Sequence, residues 1–423
     1  MKIYLIGIKG SGMSALANIL LDDGYEVRGS DTEKFMHSET QLRGRNVVID
    51  VLESSEYLSS DIVVVGHTFY TPERIEELNA HKKAFFEYNE FLGLYLDSEK
   101  LVSVCGSHGK TTLVKLLVTA FPDCSYLIGD GQGCKKEKDA FFFLESCEYK
   151  RHFLQYHPSE ILLTNIDYDH IDYFKNEEDY HQAFQEFADQ GKKIYCSFSC
   201  RNQIEHPNKI TYGLDRDADY HLEYSVEKDR YQLAFFRKER QIHEFSFRKS
   251  ADRFLESVAA VLSFYAEHNF DLKPITDRLS HFAMPYQRFN TEVYHRQILI
   301  SDYCHHPSQI VYNLEQCRLF YPDYRKVAVF RPDRTSRLVY FKDRFVRALS
   351  DYDLAFVLPL SPTEEVGQHG SFELSAPGIV CLNQIAEIRH YLDEKEKYAF
   401  SFMSSKDQSE EIRKLKQLLS LWS

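Results

Sequence analysis

The sequence predicts an α/β chain of three successive units, each built on a parallel sheet covered by helices. Three observations carry that reading. Short runs rich in β-branched and apolar residues alternate with stretches of helical periodicity along the 423 residues. The alternation restarts at 100–105 and again at 297–302. Each start sends a strand into a turn of glycine or polar residues ahead of a helix, which gives units 1–97, 98–290 and 291–423.

In the first unit, KIYLIGI (2–8) reads as a buried strand and SGMSALANILLDDG (11–24) as a helix stopped by Gly24. YEVRGSD (25–31) and DIVVVG (61–66) read as further strands. The second unit opens on KLVSVC (100–105) and continues through AFFFLE (140–145) and EILLTN (160–165). Over 217–248 apolar and polar residues alternate, the pattern of a smaller antiparallel sheet with one wet face, and a helix over about 251–267 follows. In the third unit QILISD (297–302), KVAVFR (326–331), DLAFVLPL (353–360) and YAFSFM (398–403) read as strands.

Bulk properties narrow the class. An apolar fraction of 43% with 14% aromatic residues is enough for packed cores and excludes global disorder. A net charge of −13 shows none of the basic footprint of a nucleic-acid binder. The nine cysteines are irregularly spaced and form no C-x-x-C pair, which argues against a structural zinc site or a redox motif. The opening MKIYLIGIKGSG lacks the basic stretch and long apolar run of a secretory leader. No apolar run reaches the roughly 18 residues of a membrane helix. The expectation is a cytoplasmic protein with reduced thiols and no membrane insertion.

Chemistry concentrates where strands end, because open parallel sheets bind ligands outside the carboxyl ends of their strands. LVSVC runs into Gly106, Ser107, His108, Gly109, Lys110, Thr111 and Thr112. The usual phosphate loop is G-x-x-x-x-G-K-[ST], and here Val104 stands in place of its first glycine. A glycine loop entering a helix still offers backbone N–H groups and a helix dipole to phosphates. Lys110 would add a point charge and Thr111 a hydroxyl for Mg²⁺. FFFL runs into Glu145-Ser146-Cys147-Glu148, and ILLT into Asn165-Ile166-Asp167-Tyr168-Asp169-His170. A single strand-end glutamate or histidine is as often a solvated carboxylate or a structural imidazole. Successive strand ends at one sheet edge instead point to Glu145 and His170 as groups that complete or orient a metal site. Glu148 and Asp169 are weaker signals.

The other two units carry analogous turns. Gly7-Ile8-Lys9-Gly10-Ser11-Gly12-Met13-Ser14 would seat a diphosphate on a helix N-terminus, or simply make a tight strand-to-helix connection. Ser30-Asp31 ends the next strand, where ribose contacts and N-caps both occur. SDYCHHPSQI (301–310) and RPDRTSR (331–337) place His305, His306, Arg334 and Arg337 after strands, either to hold anionic groups or to pack loops.

Together these segments resemble one family, the Mur ligases, over nearly the whole chain. GIKGSGMSALA followed by GSD is similar to that family's amino-terminal glycine motif, and GSHGKTT to its phosphate loop G-[TSA]-H-G-K-T. LIGDG and ESCEYKRHFL look like segments of Gram-positive members, and TNIDYDHIDYF matches N-x-x-x-D-H. DYCHHPSQI is similar to D-D-Y-x-H-H-P-x-E-[IV], and VFRPDRTSR to V-F-Q-P-H-R-x-[ST]-R. The resemblance implies a Rossmann-like domain for a UDP-sugar, a central phosphate-loop ATPase-type domain, and a Rossmann-like carboxy-terminal domain that positions the amino acid and the nucleotide. It implies a cytoplasmic enzyme of peptidoglycan precursor synthesis. ATP, with Mg²⁺, phosphorylates the lactyl carboxylate of UDP-N-acetylmuramic acid, and the amine of L-alanine displaces the phosphate.

Carried onto this sequence, the resemblance assigns Gly7, Gly10, Ser11, Gly12, Met13, Ser14, Ser30, Asp31 and His67 to the UDP-sugar. It assigns 106–112 and Asp302 to ATP, and Thr111, Glu145 and His170 to magnesium. Lys110, Glu145, His170, His305, Arg334 and Arg337 take the catalytic roles. Ser11-Gly12-Met13-Ser14 favours the alanine-adding branch over the branch that recycles a murein tripeptide, which carries a Phe-Met pair there. Four segments depart from the family pattern. Arg253-Phe254 replaces the His-Asn of G-x-H-N-x-x-N, Ser301 the first aspartate of D-D-Y, Asp333 the histidine of Q-P-H-R, and SSKD (404–407) the G-A-G-D stretch. These departures leave open a different acceptor amino acid, a recycled peptide, or a nucleotide-binding paralogue of weak activity. A monomer and a dimer both remain open.

Overall fold

The computed structural model describes residues 1–138, 140–227, 230–360, 374 and 376–422. Among the described residues the strands form three sheets of five, ten and six strands. The chain divides into two compact units. The first comprises Met1–Asp167, Glu177–Arg248 and Leu255–Phe282, and the second Tyr168–Asn176, Lys249–Phe254 and Ala283–Ser423. Five- and ten-stranded sheets both belong to the first unit.

The five-stranded sheet is parallel throughout, with β1 (Lys2–Ile6), β2 (Glu26–Asp31), β3 (Ile49–Val51), β4 (Ile62–Val65) and β5 (Ala84–Glu87) in the order β3-β2-β1-β4-β5. β1 reads KIYLI without a polar partner face, as a strand covered on both sides must. Tyr4, Ile6, Val63 and Val65 pack with Tyr57 and Leu78 on one side of it. The strand order reverses between β1 and β4, so a crevice opens at their carboxyl ends, where the glycine turn and His67 lie.

The ten-stranded sheet contains β6 (Leu101–Cys105), β7 (Ser125–Leu127), β8 (Gly133–Cys134), β9 (Phe142–Glu145), β10 (Glu160–Leu163), β11 (Lys193–Ser197), β12 (Lys209–Gly213), β13 (Tyr220–Glu227), β14 (Arg230–Arg237) and β15 (Arg240–Arg248). β6 lies between β10 and β9, parallel to both, and is a second reversal point. The smaller antiparallel part continues this sheet: β13 pairs parallel to β12 at Tyr212–Tyr220 and Gly213–His221, then antiparallel to β14, and β14 to β15. Alternate residues of β14 are buried, which is the predicted two-residue period with one wet face.

In the second unit β16 (Asn290–Tyr294), β17 (Gln297–Tyr303), β18 (Arg325–Phe330), β19 (Leu354–Val357), β20 (Ile379–Cys381) and β21 (Tyr398–Ser404) run in the order β16-β17-β21-β18-β19-β20. Among the described strands of this sheet only β16 is antiparallel to its neighbour. Val327, Val329, Phe400, Phe402 and Leu415 are central to its core. No helix among the described residues is long and apolar enough to cross a membrane.

Candidate active site

The first unit brings three of the sequence-predicted strand ends to one edge. β9, β6 and β10 are neighbours running the same way, so Glu145, the Gly106–Gly109 loop and Thr164-Asn165 all emerge at their carboxyl ends. Gly106 has φ +133, and a Cβ there would lie 2.0 Å from Thr164 Oγ1. Only glycine lets β6 leave the sheet this close to β10. Gly109, at φ +86, turns the chain into helix Lys110–Ala120, whose free N–H groups face the loop.

The residues after β10 hold the loop from outside. Asn165 O accepts from Ser107 N–H at 3.0 Å, Asn165 Oδ1 from His108 N–H at 3.1 Å, and His108 O accepts from Asn165 Nδ2 at 2.9 Å. Thr164 Oγ1 also donates to His108 O at 2.7 Å. Ser107 Oγ accepts from Asp167 N–H at 2.8 Å and lies 2.8 Å from Tyr180 OH. The buried His108 imidazole lies 3.4 Å from Asp167, so the histidine peculiar to this loop serves as a strut. Asn165 and Asp167 hold the loop in place, a part that sequence reading did not give them. Their signal was the direct run from strand into Thr-Asn, which is polar where a strand leaves the core.

Lys110 and Glu145 stand at the mouth of this loop. Thr111 Oγ1 donates to Glu145 Oε1 at 2.8 Å, and Glu145 Oε2 accepts from Gly129 N–H at 2.7 Å. Lys110 Nζ donates to Glu148 Oε2 at 2.7 Å and to the Gly106 and Ser107 carbonyls. Burial pulls against the Lys110 charge, but Glu148, with lesser help from Cys147 and Glu145, outweighs it and raises the lysine above its ordinary range. Glu148, a weak candidate in the sequence, is thus the direct partner of the loop lysine. Thr112 follows in the helix.

The glycine turn of the first sheet is stitched to β2. Gly7 has φ +84 and donates to Ser30 O at 2.8 Å, and Gly10 donates back to Gly7 O at 3.0 Å. Asp31 Oδ2 accepts from Lys9 N–H at 2.8 Å and Oδ1 from Thr32 N–H at 2.7 Å, so this carboxylate fastens the turn with both oxygens. Helix Ser11–Asp22 starts at Gly10 with no side-chain cap, which leaves the N–H groups near Ser11, Gly12 and Met13 facing outward. Ser14 Oγ is spent on Ile8 O at 2.8 Å. Beside the turn a pocket of about 290 Å³ is lined by Lys9, Asp31, Thr32, Glu39, Arg43 and Asp50, among others. His67, after β4, lies near Glu87 and Lys150.

The second unit gathers its own cluster. Arg337 Nε donates to Asp169 Oδ1 at 2.9 Å, and its Nη1 donates to both oxygens of Asp333 at 2.7 and 2.9 Å. All three side chains are buried. Burial would raise the Asp169 carboxyl, but Arg337 foremost, with His170, His305 and His306, holds it well below the usual range. His305 Nε2 is 4.0 Å from Asp169. His170 takes a left-handed backbone (φ +54), and its N–H donates to Asp169 Oδ1 at 2.7 Å. Arg334 is paired with Asp172 at 2.8 Å. His306 is wholly buried against Phe341 and opens helix Pro307–Phe320, its N–H donating to Gln309 Oε1 at 3.0 Å. Asp302, assigned to ATP by resemblance, accepts from Asn313 Nδ2 at 2.8 Å and Phe289 N–H at 3.1 Å, and both bonds are internal to the fold. Arg253 lies 5.4 Å from the ring centroid of Tyr312 in a cation–π contact, and Phe254 is buried.

The whole chain superposes on UDP-N-acetylmuramate–alanine ligase MurC from Thermotoga maritima with a TM-score of 0.77 at 19% identity, covering 100% of both chains. The fold is that of the Mur ligases. A murein peptide ligase from Psychrobacter arcticus shares the Mur-ligase fold at TM-score 0.71 and 20% identity, over 99% of this chain and 98% of that one. MurF ligase from Thermotoga maritima, solved in complex with ADP, shares it at TM-score 0.61 and 15% identity, over 94% and 96%. Residues 2–99 also match the Mur ligase family, catalytic domain.

Proposed function

We propose that this chain is an ATP-dependent Mur ligase that joins L-alanine to the lactyl carboxylate of UDP-N-acetylmuramic acid in peptidoglycan precursor synthesis. The observation that carries the proposal is the phosphate loop at the β6 reversal point, with Lys110 and the Thr111–Glu145 pair at its mouth. Loop N–H groups, a helix N-terminus and a lysine make a cradle for a triphosphate. Thr111 and Glu145, two oxygen donors 2.8 Å apart, suit a hard cation, and the resemblance adds His170 to them. Bound Mg²⁺ would neutralise charge on the phosphates.

In the reaction a carboxylate oxygen attacks the γ-phosphorus and the bond to ADP breaks, leaving an acyl phosphate. The alanine nitrogen then attacks the acyl carbon, the carbon–oxygen bond to phosphate breaks, and the nitrogen sheds a proton. Lys110 holds the charge of the transferring group, and the loop positions it. The first-sheet glycine turn is the proposed seat of the UDP-sugar diphosphate, and the second-unit cluster of His305, Arg334 and Arg337 the proposed acceptor side.

Purified protein with ATP, Mg²⁺, UDP-N-acetylmuramic acid and L-alanine should release phosphate and form the ligated product. Phosphate release independent of alanine would sink the reading. A second acceptor class is raised by one observation: Asp333, at a position where the resembled motif has a histidine, accepts with both oxygens from Arg337. A panel of amino acids and murein peptides in the same assay separates the two.

A further inference from the structure

Away from the phosphate loop, three metal-ligating side chains from three separate elements of the first unit converge. His67 follows β4, Glu87 ends β5, and His152 sits in the Tyr149–Gln155 segment after β9. One ligand atom from each lies within 4.8 Å of the others. His67 Nδ1 is 3.6 Å from Glu87 Oε1, and the His67 and His152 rings meet edge to face at 4.8 Å. Glu87 is held in place by accepting from Asn89 N–H at 2.6 Å through its other oxygen. The segment that delivers His152 is unusual: Lys150 and Arg151, neither a glycine, both take left-handed backbone at φ +53 and +58.

We propose that His67, Glu87 and His152 form a binding site for a divalent transition-metal cation. Two imidazoles and one carboxylate are a zinc-type donor set, softer than the oxygen ligands magnesium requires. A cation already sits against this cluster, for Lys150 Nζ is 2.8 Å from His67 Nε2. An ammonium at that distance places positive charge beside the ring, where it opposes a second cation at the cluster. Lys150 is exposed and can withdraw, so it is a built-in competitor for the site. The cluster adjoins the glycine turn, since Phe69, two residues after His67, packs where a Cβ on Gly7 would stand. The proposal does not depend on the ligase reading.

The test is a Co²⁺ titration of the full-length, metal-stripped protein, with a reductant for its thiols and excess Mg²⁺ to occupy any hard-ion site. One equivalent should give visible d–d absorption without a near-ultraviolet sulfur-to-cobalt band, and Zn²⁺ should displace it. His67→Gln and His152→Gln should each weaken binding at least tenfold. Lys150→Met should tighten it several-fold, because it removes the competing ammonium and leaves all three ligands. Circular dichroism monitors folding, and if a histidine variant does not fold, the sign of the Lys150→Met effect decides. Absence of the visible band, a sulfur-to-cobalt band, binding indifferent to His67→Gln, or weaker binding in Lys150→Met would each overturn the proposal.

Discussion

Lys110 and Glu148 form an ion pair with a 2.7 Å contact, in which the carboxylate is only 2% exposed. The lysine that the proposed function offers to a triphosphate is therefore held by an acid of its own unit. Glu148→Gln weakens that hold and removes a negative charge beside the nucleotide phosphates. ATP should bind about five- to tenfold more tightly, roughly 1–1.4 kcal/mol. Stability should fall by about 3 kcal/mol, because a buried charge loses its partner. Lys110→Ala should lower kcat/KM by about 100-fold or more. The double variant should recover stability without activity, since neither charge is then buried alone. Isothermal titration with a non-hydrolysable ATP analogue, together with denaturant unfolding, measures both. Weaker ATP binding in Glu148→Gln would show that Glu148 supports the bound geometry instead.

Gly106 and Gly109 should differ as alanine variants. At Gly106 the new Cβ meets Thr164 Oγ1 at 2.0 Å and the Asn165 carbonyl at 2.9 Å, so the clamp on the loop must break. Gly106→Ala should abolish nucleotide binding and destabilise the protein by about 3 kcal/mol or more. At Gly109 a Cβ meets nothing within 4 Å, and only the φ of +86 is unfavourable. Gly109→Ala should cost about 1–2 kcal/mol and leave measurable ATP binding. Equal loss in both variants would mean that backbone conformation, and not the approach to Thr164, governs the loop.

Much of this was legible in the sequence. Each sheet announced itself through a run such as KIYLI, LVSVC or KVAVF, whose lack of alternation is what burial on both faces imposes. Strand ends drew attention to Lys110, Thr111 and Glu145, and the structure brings all three to one edge of the central sheet. Glu148 and Asp169 were harder to read, because an acid's partner is set by three-dimensional placement: Arg337 lies 168 positions from Asp169. The merging of the antiparallel strands with the central sheet was equally hidden, since it rests on the short pairing of β12 with β13. Asp302 and Asp31 lie at strand ends where ligand contacts are common, yet both carboxylates are occupied by local hydrogen bonds.

The Asp169–Arg337 pair should make the second unit acid-sensitive. The Asp169 carboxyl lies well below its ordinary value in the folded chain, and that ordinary value is about 3.9. A depressed carboxyl stabilises the fold above its unfolded pKa, and the stabilisation is lost as pH falls through the folded value. Asp169→Asn should therefore cost about 2–3 kcal/mol at neutral pH, and the gap to the wild type should narrow below about pH 4. The single tryptophan, Trp422, lies in the second unit beside Tyr398 and reports its unfolding by fluorescence. A gap that stays constant down to pH 2 would show that the pair contributes no charge-dependent stability.

Asp333 offers the sharpest test of acceptor choice. Both its oxygens accept from one nitrogen of Arg337; burial would lower the guanidinium's pKa, but Asp169 and then Asp333 outweigh it and raise it above the ordinary range. Asp333→His removes one of two acids from the guanidinium and leaves Asp169 in place. Unfolding should become easier by about 2 kcal/mol, less than for a fully orphaned buried charge. If Arg337 takes part in acceptor recognition, freeing it should change the KM for the acceptor several-fold, with kcat and the KM for ATP nearly unchanged. The acceptor panel run on this variant would then show a shift in preference among carboxylate-bearing amines. An equal change in both KM values would assign the Asp333–Arg337 pair to holding the second unit together, and acceptor choice would have to lie elsewhere.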